Sequence, residues 1–186
     1  MKFWIWLFLA AASPAGVAQA REAVAAKEFM VAAAHPLAAQ AGVRMLERGG
    51  SALDAAVAVQ MVLGLVEPQS SGIGGGAFLL HWSQKEKKLR SYDGRETAPA
   101  AAKPDRFLDS QKKPVPFMDA VVGGRSVGVP GVLRMLELAH RRHGRLPWRE
   151  LFTEAIRLAE SGFEAPARLR EALAQERFLR DALFFD

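Results

Sequence analysis

Hydrophobic and polar positions alternate along this chain with two periods, and the switches between them mark its elements. Phe29 to Ala34 (FMVAAA) is a strand-length apolar run that ends at His35-Pro36. Pro36 suits the first turn of a helix running to Arg48, with Leu37, Gln40, Ala41, Met45 and Leu46 on one face. Gly49-Gly50 stops it. Ser51, with Asp54 three residues on, forms a capping box for a second helix from Ala52 to about Leu65. That helix is apolar nearly all round, which predicts burial, and its small residues allow close packing. Ala77 to Trp82 and Leu89 to Tyr92 read as a β-hairpin across the charged turn Ser83 to Lys88. Pro99 to Pro116 is proline-punctuated and irregular, with Phe107 and Leu108 as expected anchors. Glycines at 123, 124, 128 and 131 flank a short segment around Val127. Helices are then predicted from about Pro130 to His143 and from Pro147 to about Ser161, the latter with Leu151, Ala155, Ile156 and Ala159 inward. An amphipathic helix from Arg168 to about Leu183 closes the chain. The order is strand, two helices, hairpin, irregular loop and three helices: an α+β pattern.

The N-terminus changes the picture. Lys2, the apolar run Phe3 to Ala12, the breakers Ser13, Pro14 and Gly16, and Ala18-Gln19-Ala20 form a signal peptide over 1–20, with Arg21 as the expected mature start. The run is too short to span a bilayer, so no stable membrane anchor is expected. A periplasmic or secreted location follows. The chain has no cysteine, so the exported domain (21–186) must rest on its core, and thiol chemistry is excluded. The formal net charge of +5 is spread along the chain and broken by acids, a pattern of solvated faces rather than of nucleic-acid binding.

Chemistry concentrates in two places. The first is the stretch Glu67 to Phe78 (EPQSSGIGGGAF), with glycines at 72, 74, 75 and 76. It passes from a helix into a strand, the reverse of a phosphate-binding loop, and lacks the Gly-Lys-Ser/Thr ending. It reads either as a tight backbone crossing or as a loop beneath a substrate pocket. Glycines here permit positive φ or close approach. The second place is Arg95, between Gly94 and Glu96 and near Asp93. Such an arginine is either a surface ion pair or a bidentate clamp for a substrate carboxylate. His35, His81, His140 and His143 lack metal-ligand spacing, so no metal and no cofactor are expected. His140 and His143 are expected on a solvated helix end. The nine serines form no Gly-x-Ser-x-Gly elbow.

From about Met30 to Asp186 the chain resembles the N-terminal part of the γ-glutamyltransferase (glutathione hydrolase) large subunit. The resemblance rests on HPLAAQAGVRMLERGGSALDAAVAVQMVLGLVEPQSSGIGGGAF, DGRETAP and GGRSVGVPG. It implies part of an N-terminal-nucleophile hydrolase sandwich, layered α/β/β/α. It also implies that Arg95 holds the α-carboxylate of glutathione or another γ-glutamyl compound. In that family a precursor cuts itself before a threonine, whose hydroxyl attacks the γ-glutamyl amide while its new α-amine acts as base. This chain has two threonines, Thr97 and Thr153, neither in that processing context. The nucleophile, the oxyanion donors and the groups holding the substrate amine are therefore expected beyond Asp186, in the remainder of the precursor and its small subunit. The alternatives are a non-catalytic remnant that binds a partner or a γ-glutamyl compound, and an acylase relative acting on another amide.

Export predicts that the mature protein begins near Arg21. Amino-terminal sequencing of protein recovered outside the cytoplasm checks this, and a mature form retaining Met1 contradicts it.

Overall fold

The structure, a computed structural model, describes residues 23–176. The signal peptide over 1–20 lies outside the described residues; the last helix, expected to run to about Leu183, ends at Gln175, where Glu176 turns extended. Helices α1 (Pro36–Glu47) and α2 (Ala52–Val66) form an antiparallel pair, and the hairpin β1 (Phe78–Ser83) and β2 (Lys88–Asp93) follows. An irregular stretch contains the short α3 (Phe117–Val121) and a 3-10 turn, Gly124–Ser126. Then come α4 (Val132–His143), a 3-10 turn at Trp148–Phe152 leading directly into α5 (Thr153–Ser161), and α6 (Ala167–Gln175). The fold is α+β, as expected.

Local chemistry accounts for most of the boundaries. His35 caps α1, its Nδ1 accepting the Leu37 N–H at 3.2 Å, and Pro36 takes the first position. Gly49, at φ 84°, turns the chain out of α1 in a conformation costly for other residues. The capping box is present: Asp54 N–H donates to Ser51 Oγ at 3.2 Å, and Ser51 N–H donates to Asp54 Oδ2 at 2.6 Å. Where α1 meets α2, a Cβ on Gly42 would sit 2.7 Å from Val59, so the helices approach over that glycine.

The core gathers around α2, which buries Leu53, Val57, Ala58, Met61, Val62 and Val66. Met45 of α1, Met135 and Leu136 of α4, Leu151 and Leu158 close over it. Each such side chain taken fully from water contributes about 1.5–3 kcal/mol before entropy. The hairpin turns Leu79, His81, Arg90 and Tyr92 to this core, while Phe78, Leu80, Trp82 and Leu89 face outward.

Three expectations are corrected. Phe29 to Ala34 forms no strand; Met30 is 56% exposed and the segment has no ladder to join, so its apolar pattern is not enough. The inward face of the 3-10 turn and α5 is Leu151, Ala155 and Leu158, whereas Ile156 and Ala159 are exposed. Phe107 is exposed, while Leu108 is half-buried and bridges to Pro114.

The deepest polar group is the Asp54 carboxylate, fully buried. Besides Ser51 N–H, its Oδ2 accepts Arg145 N–H at 2.9 Å and Leu146 N–H at 3.3 Å. His140 Nε2 lies 3.3 Å from its Oδ1 and 2.9 Å from the Leu146 carbonyl. Replacing Asp54 by Ala leaves these buried donors unmatched and should lower unfolding free energy by about 3 kcal/mol or more in denaturant titration. Asp54→Asn keeps one acceptor oxygen and should cost less. Wild-type stability in Asp54→Ala would show that this hub is dispensable.

Candidate functional site

Arg95 stands where three backbone segments cross. Ala77 and Gly94 extend the hairpin ladder with reciprocal bonds of 3.2 and 2.9 Å. Thr97 and Val129 pair in the same way, at 3.3 and 2.9 Å. The Gly75 carbonyl accepts the N–H groups of Gly131 and Val132 at 3.1 and 3.2 Å, tying the glycine loop to the start of α4. The loop is therefore a tight backbone crossing, the first of the two readings of its sequence.

Glycine is required here for space rather than for unusual torsion angles. Among the described glycines positive φ occurs at Gly49, Gly123 and Gly162, not in the loop. A Cβ on Gly76 would stand 2.6 Å from the Gly94 carbonyl oxygen, 2.6 Å from Glu96 Oε2 and 2.8 Å from the Arg95 Cα. A Cβ on Gly94 would meet Met135 Cβ at 2.6 Å, and one on Gly131 would collide with the Gly94 carbonyl. Three glycines let three chains touch, and Arg95 leaves the contact point with its main chain held.

The Arg95 N–H donates to Asp93 Oδ1 at 2.9 Å. Its guanidinium has one ionic neighbour, Glu96, whose Oε2 lies 3.3 Å from Nε. That oxygen is buried and accepts no hydrogen bond. The rest of the fork is open, and the side chain is 68% exposed. Both readings of Arg95 are thus physically present: an ion pair along one edge, two unengaged nitrogens on the other. Arg95 borders a cavity of about 480 Å³ that is lined also by Glu96, Thr97, Arg106 and Val127 among others. That volume suits a small-molecule ligand. The exposed Phe107 is part of its wall.

The two threonines are placed apart. Thr97 lines the cavity with its main chain locked to Val129, while Thr153 donates its hydroxyl to the Glu150 carbonyl at 2.9 Å. Among the described residues no group of three or more His, Cys, Asp or Glu could hold a metal ion. No described helix is long and apolar enough to cross a membrane.

His140 and His143 are not solvated. His140 is drawn into the Asp54 hub, with its side chain only 13% exposed. His143 stacks on His81 with ring centroids 3.9 Å apart, and its Nε2 is 2.7 Å from the Tyr92 hydroxyl. Burial, then the neighbouring His81 and Arg90, push the His143 imidazole below its usual range. This cluster seals α4 to the hairpin away from the cavity. The basic run Arg141-Arg142-His143 concealed it, since only the tertiary partners distinguish a docked helix end from a solvated one.

Comparison with known proteins adds to this geometry. Residues 38–185 match the family model described as Gamma-glutamyltranspeptidase. The glutathione hydrolase proenzyme of Bacillus subtilis (strain 168) is 47% identical over 158 residues, covering 84% of this chain and 27% of that protein. Among solved structures, Helicobacter pylori gamma-glutamyltranspeptidase superposes with a TM-score of 0.79 at 36% identity, covering 86% of this chain and 46% of the other. The Pseudomonas nitroreducens gamma-glutamyltranspeptidase complexed with L-DON gives 0.74 at 34% identity, covering 78% and 43%. The chain spans about a quarter of the length of the curated relatives it matches.

The crossing predicts a sharp contrast between glycines of one loop. Gly76→Ala should destabilise by about 1–3 kcal/mol through overpacking against the Gly94–Arg95 backbone. Gly72→Ala meets nothing within 4 Å and should stay within about 0.5 kcal/mol of the parent. Equal melting temperatures for the two variants would contradict the crossing.

Proposed function

Because this chain belongs to the γ-glutamyltranspeptidase family, we propose that it forms the N-terminal part of the large subunit of an exported γ-glutamyltransferase acting on glutathione or related γ-glutamyl amides. The observation that carries the reading is the Arg95 fork. Its main chain is held by the glycine crossing, one edge lies along Glu96, and the residue borders the cavity. A planar guanidinium in this position suits two parallel hydrogen bonds to a carboxylate, here the α-carboxylate of the γ-glutamyl group. Glu96 lies at the Nε edge and leaves the Nη groups for substrate.

In this reading Arg95 sets the distance from the α-carboxylate to the γ-carbonyl, and so fixes where the scissile amide lies. A threonine hydroxyl supplied by sequence beyond these 186 residues attacks that carbonyl. Its own α-amine takes the proton and returns it to the departing amine. The γ-glutamyl ester then passes to water or to an amine acceptor. Neither Thr97 nor Thr153 takes this part: one has its main chain held in a ladder, the other spends its hydroxyl on a carbonyl. The segment over 1–20 would direct the precursor out of the cytoplasm and be removed.

The test uses the whole protein and a γ-glutamyl anilide. Arg95→Lys keeps the charge and loses the two-pronged match, so kcat/KM should fall by an amount equivalent to about 2–5 kcal/mol, mainly through KM. Arg95→Ala should be at least as damaging. Arg134→Ala, an exposed residue paired with Glu137 on α4, should be nearly silent. Undiminished kcat/KM in Arg95→Ala would make Arg95 a surface ion pair and remove the basis of the assignment.

A further inference from the structure

The cavity beside Arg95 holds more positive charge than one α-carboxylate requires. Lys103, Arg106 and Arg125 line it together with Arg95, against a single lining carboxylate, Glu96, which already faces Arg95. Arg106 is half-buried, and its Nε donates to the Arg125 carbonyl and its Nη2 to the Gly124 carbonyl at 3.3 Å. Its charge thus meets backbone dipoles and no acid. Lys103 and Arg125 are exposed and have no carboxylate partner among the described residues. Elsewhere Arg44, Arg48, Arg90, Arg134, Arg141 and Arg157 each face a glutamate, whereas Arg142, Arg145 and Arg149 have no carboxylate partner among the described residues and stand outside this cavity. Three cations without a carboxylate partner, Lys103, Arg106 and Arg125, thus share the concave surface that Arg95 borders.

We propose that Lys103, Arg106 and Arg125 form a second anion subsite, which takes a carboxylate on the amine half of the substrate. The protein would then favour γ-glutamyl compounds whose leaving group is itself acidic, such as a γ-linked glutamate dipeptide, over those with a neutral leaving group. The inference rests on the reading of Arg95 as the α-carboxylate clamp, because that fixes one end of the substrate. From that end, the next negative charge along a γ-glutamyl peptide is the carboxylate of the residue beyond the scissile amide. Arg106 is pre-positioned for it by its two carbonyl contacts, so little side-chain freedom remains to be lost on binding. Lys103 and Arg125 add longer-range attraction, which salt should weaken. The apolar wall supplied by Ala102, Phe107 and Val127 suits the methylene stem between the charges.

The experiment compares kcat/KM for γ-glutamylglutamate and for a neutral γ-glutamyl anilide, using the whole protein. The parent should prefer the acidic substrate, and added salt should erode that preference. In the double variant Lys103→Gln, Arg125→Gln the ratio of acidic to neutral kcat/KM should fall about tenfold. Arg125→Lys in the otherwise parental protein should largely retain it. Both side chains are exposed, so folding should survive, and an unchanged melting transition verifies that. A ratio that is unchanged in the double variant, or that does not respond to salt, overturns the subsite and leaves Arg95 untouched. Arg95→Ala should depress both substrates together. If it depresses neither, the clamp reading fails, and the subsite falls with it.

Discussion

The structure depends on one buried carboxylate. Asp54 begins as a local device, the return half of a capping box that starts α2. The same oxygen that serves Ser51 also accepts Arg145 N–H from 91 residues away and Leu146 N–H beside it. His140 adds a fourth contact from the last turn of α4. A carboxylate at zero exposure needs compensating partners, and here main-chain donors from two corners of the fold converge on Oδ2 while Oδ1, which accepts no hydrogen bond, faces His140 Nε2 at 3.3 Å. The α1–α2 corner and the exit of α4 are thereby fixed to each other. An apolar contact of the same size would hold them together without setting their register.

From that hub α4 carries position to the site. Its C-terminal end is fixed through His140 to Asp54 and through His143 to the hairpin. Its N-terminal end meets the Gly75 carbonyl through Gly131 and Val132, directly under Gly94 and Arg95. Twelve residues of helix span roughly 18 Å, so a shift at the hub would move the far end by a comparable step. The glycines at 76, 94 and 131 make that far end unusually intolerant. Backbone packed on backbone has no rotamers with which to absorb an error.

Much of this was legible in the sequence where the cause is local. The capping box, the Gly49 stop and the hairpin with its charged turn all follow from spacing and residue type, and each is found within a residue or two. What failed was what depends on distant partners. Phe29 to Ala34 has the pattern of a strand but no neighbour to pair with. His140 and His143 sit in a basic run that looks solvated until Asp54 and His81 are seen across from them. The glycine loop was read correctly in direction, helix into strand, yet its reason lies in the third dimension. No torsion in it needs glycine, whereas the backbone of Gly94 and Arg95 does. Arg95 itself, flanked by acids, is ambiguous by residue chemistry, and only the family resemblance raised it above an ordinary ion pair.

The proposed role of Arg95 rests less on its own contacts than on the company it keeps. On an ordinary surface, arginines find glutamates, as the pairs along α1, α4 and α5 do here. Those pairs are partly or largely exposed and contribute little individually. Around the cavity Arg106 turns to carbonyls, and Lys103 and Arg125 line it without a carboxylate partner among the described residues. Unpaired like charges gathered in a concavity repel one another and weaken the fold slightly. Such an arrangement is stable enough to persist because the main chain beneath it is clamped by the glycine crossing and the Thr97–Val129 bridge. Rigid backbone below and unmatched charge above is the physical basis on which an anion site is proposed here.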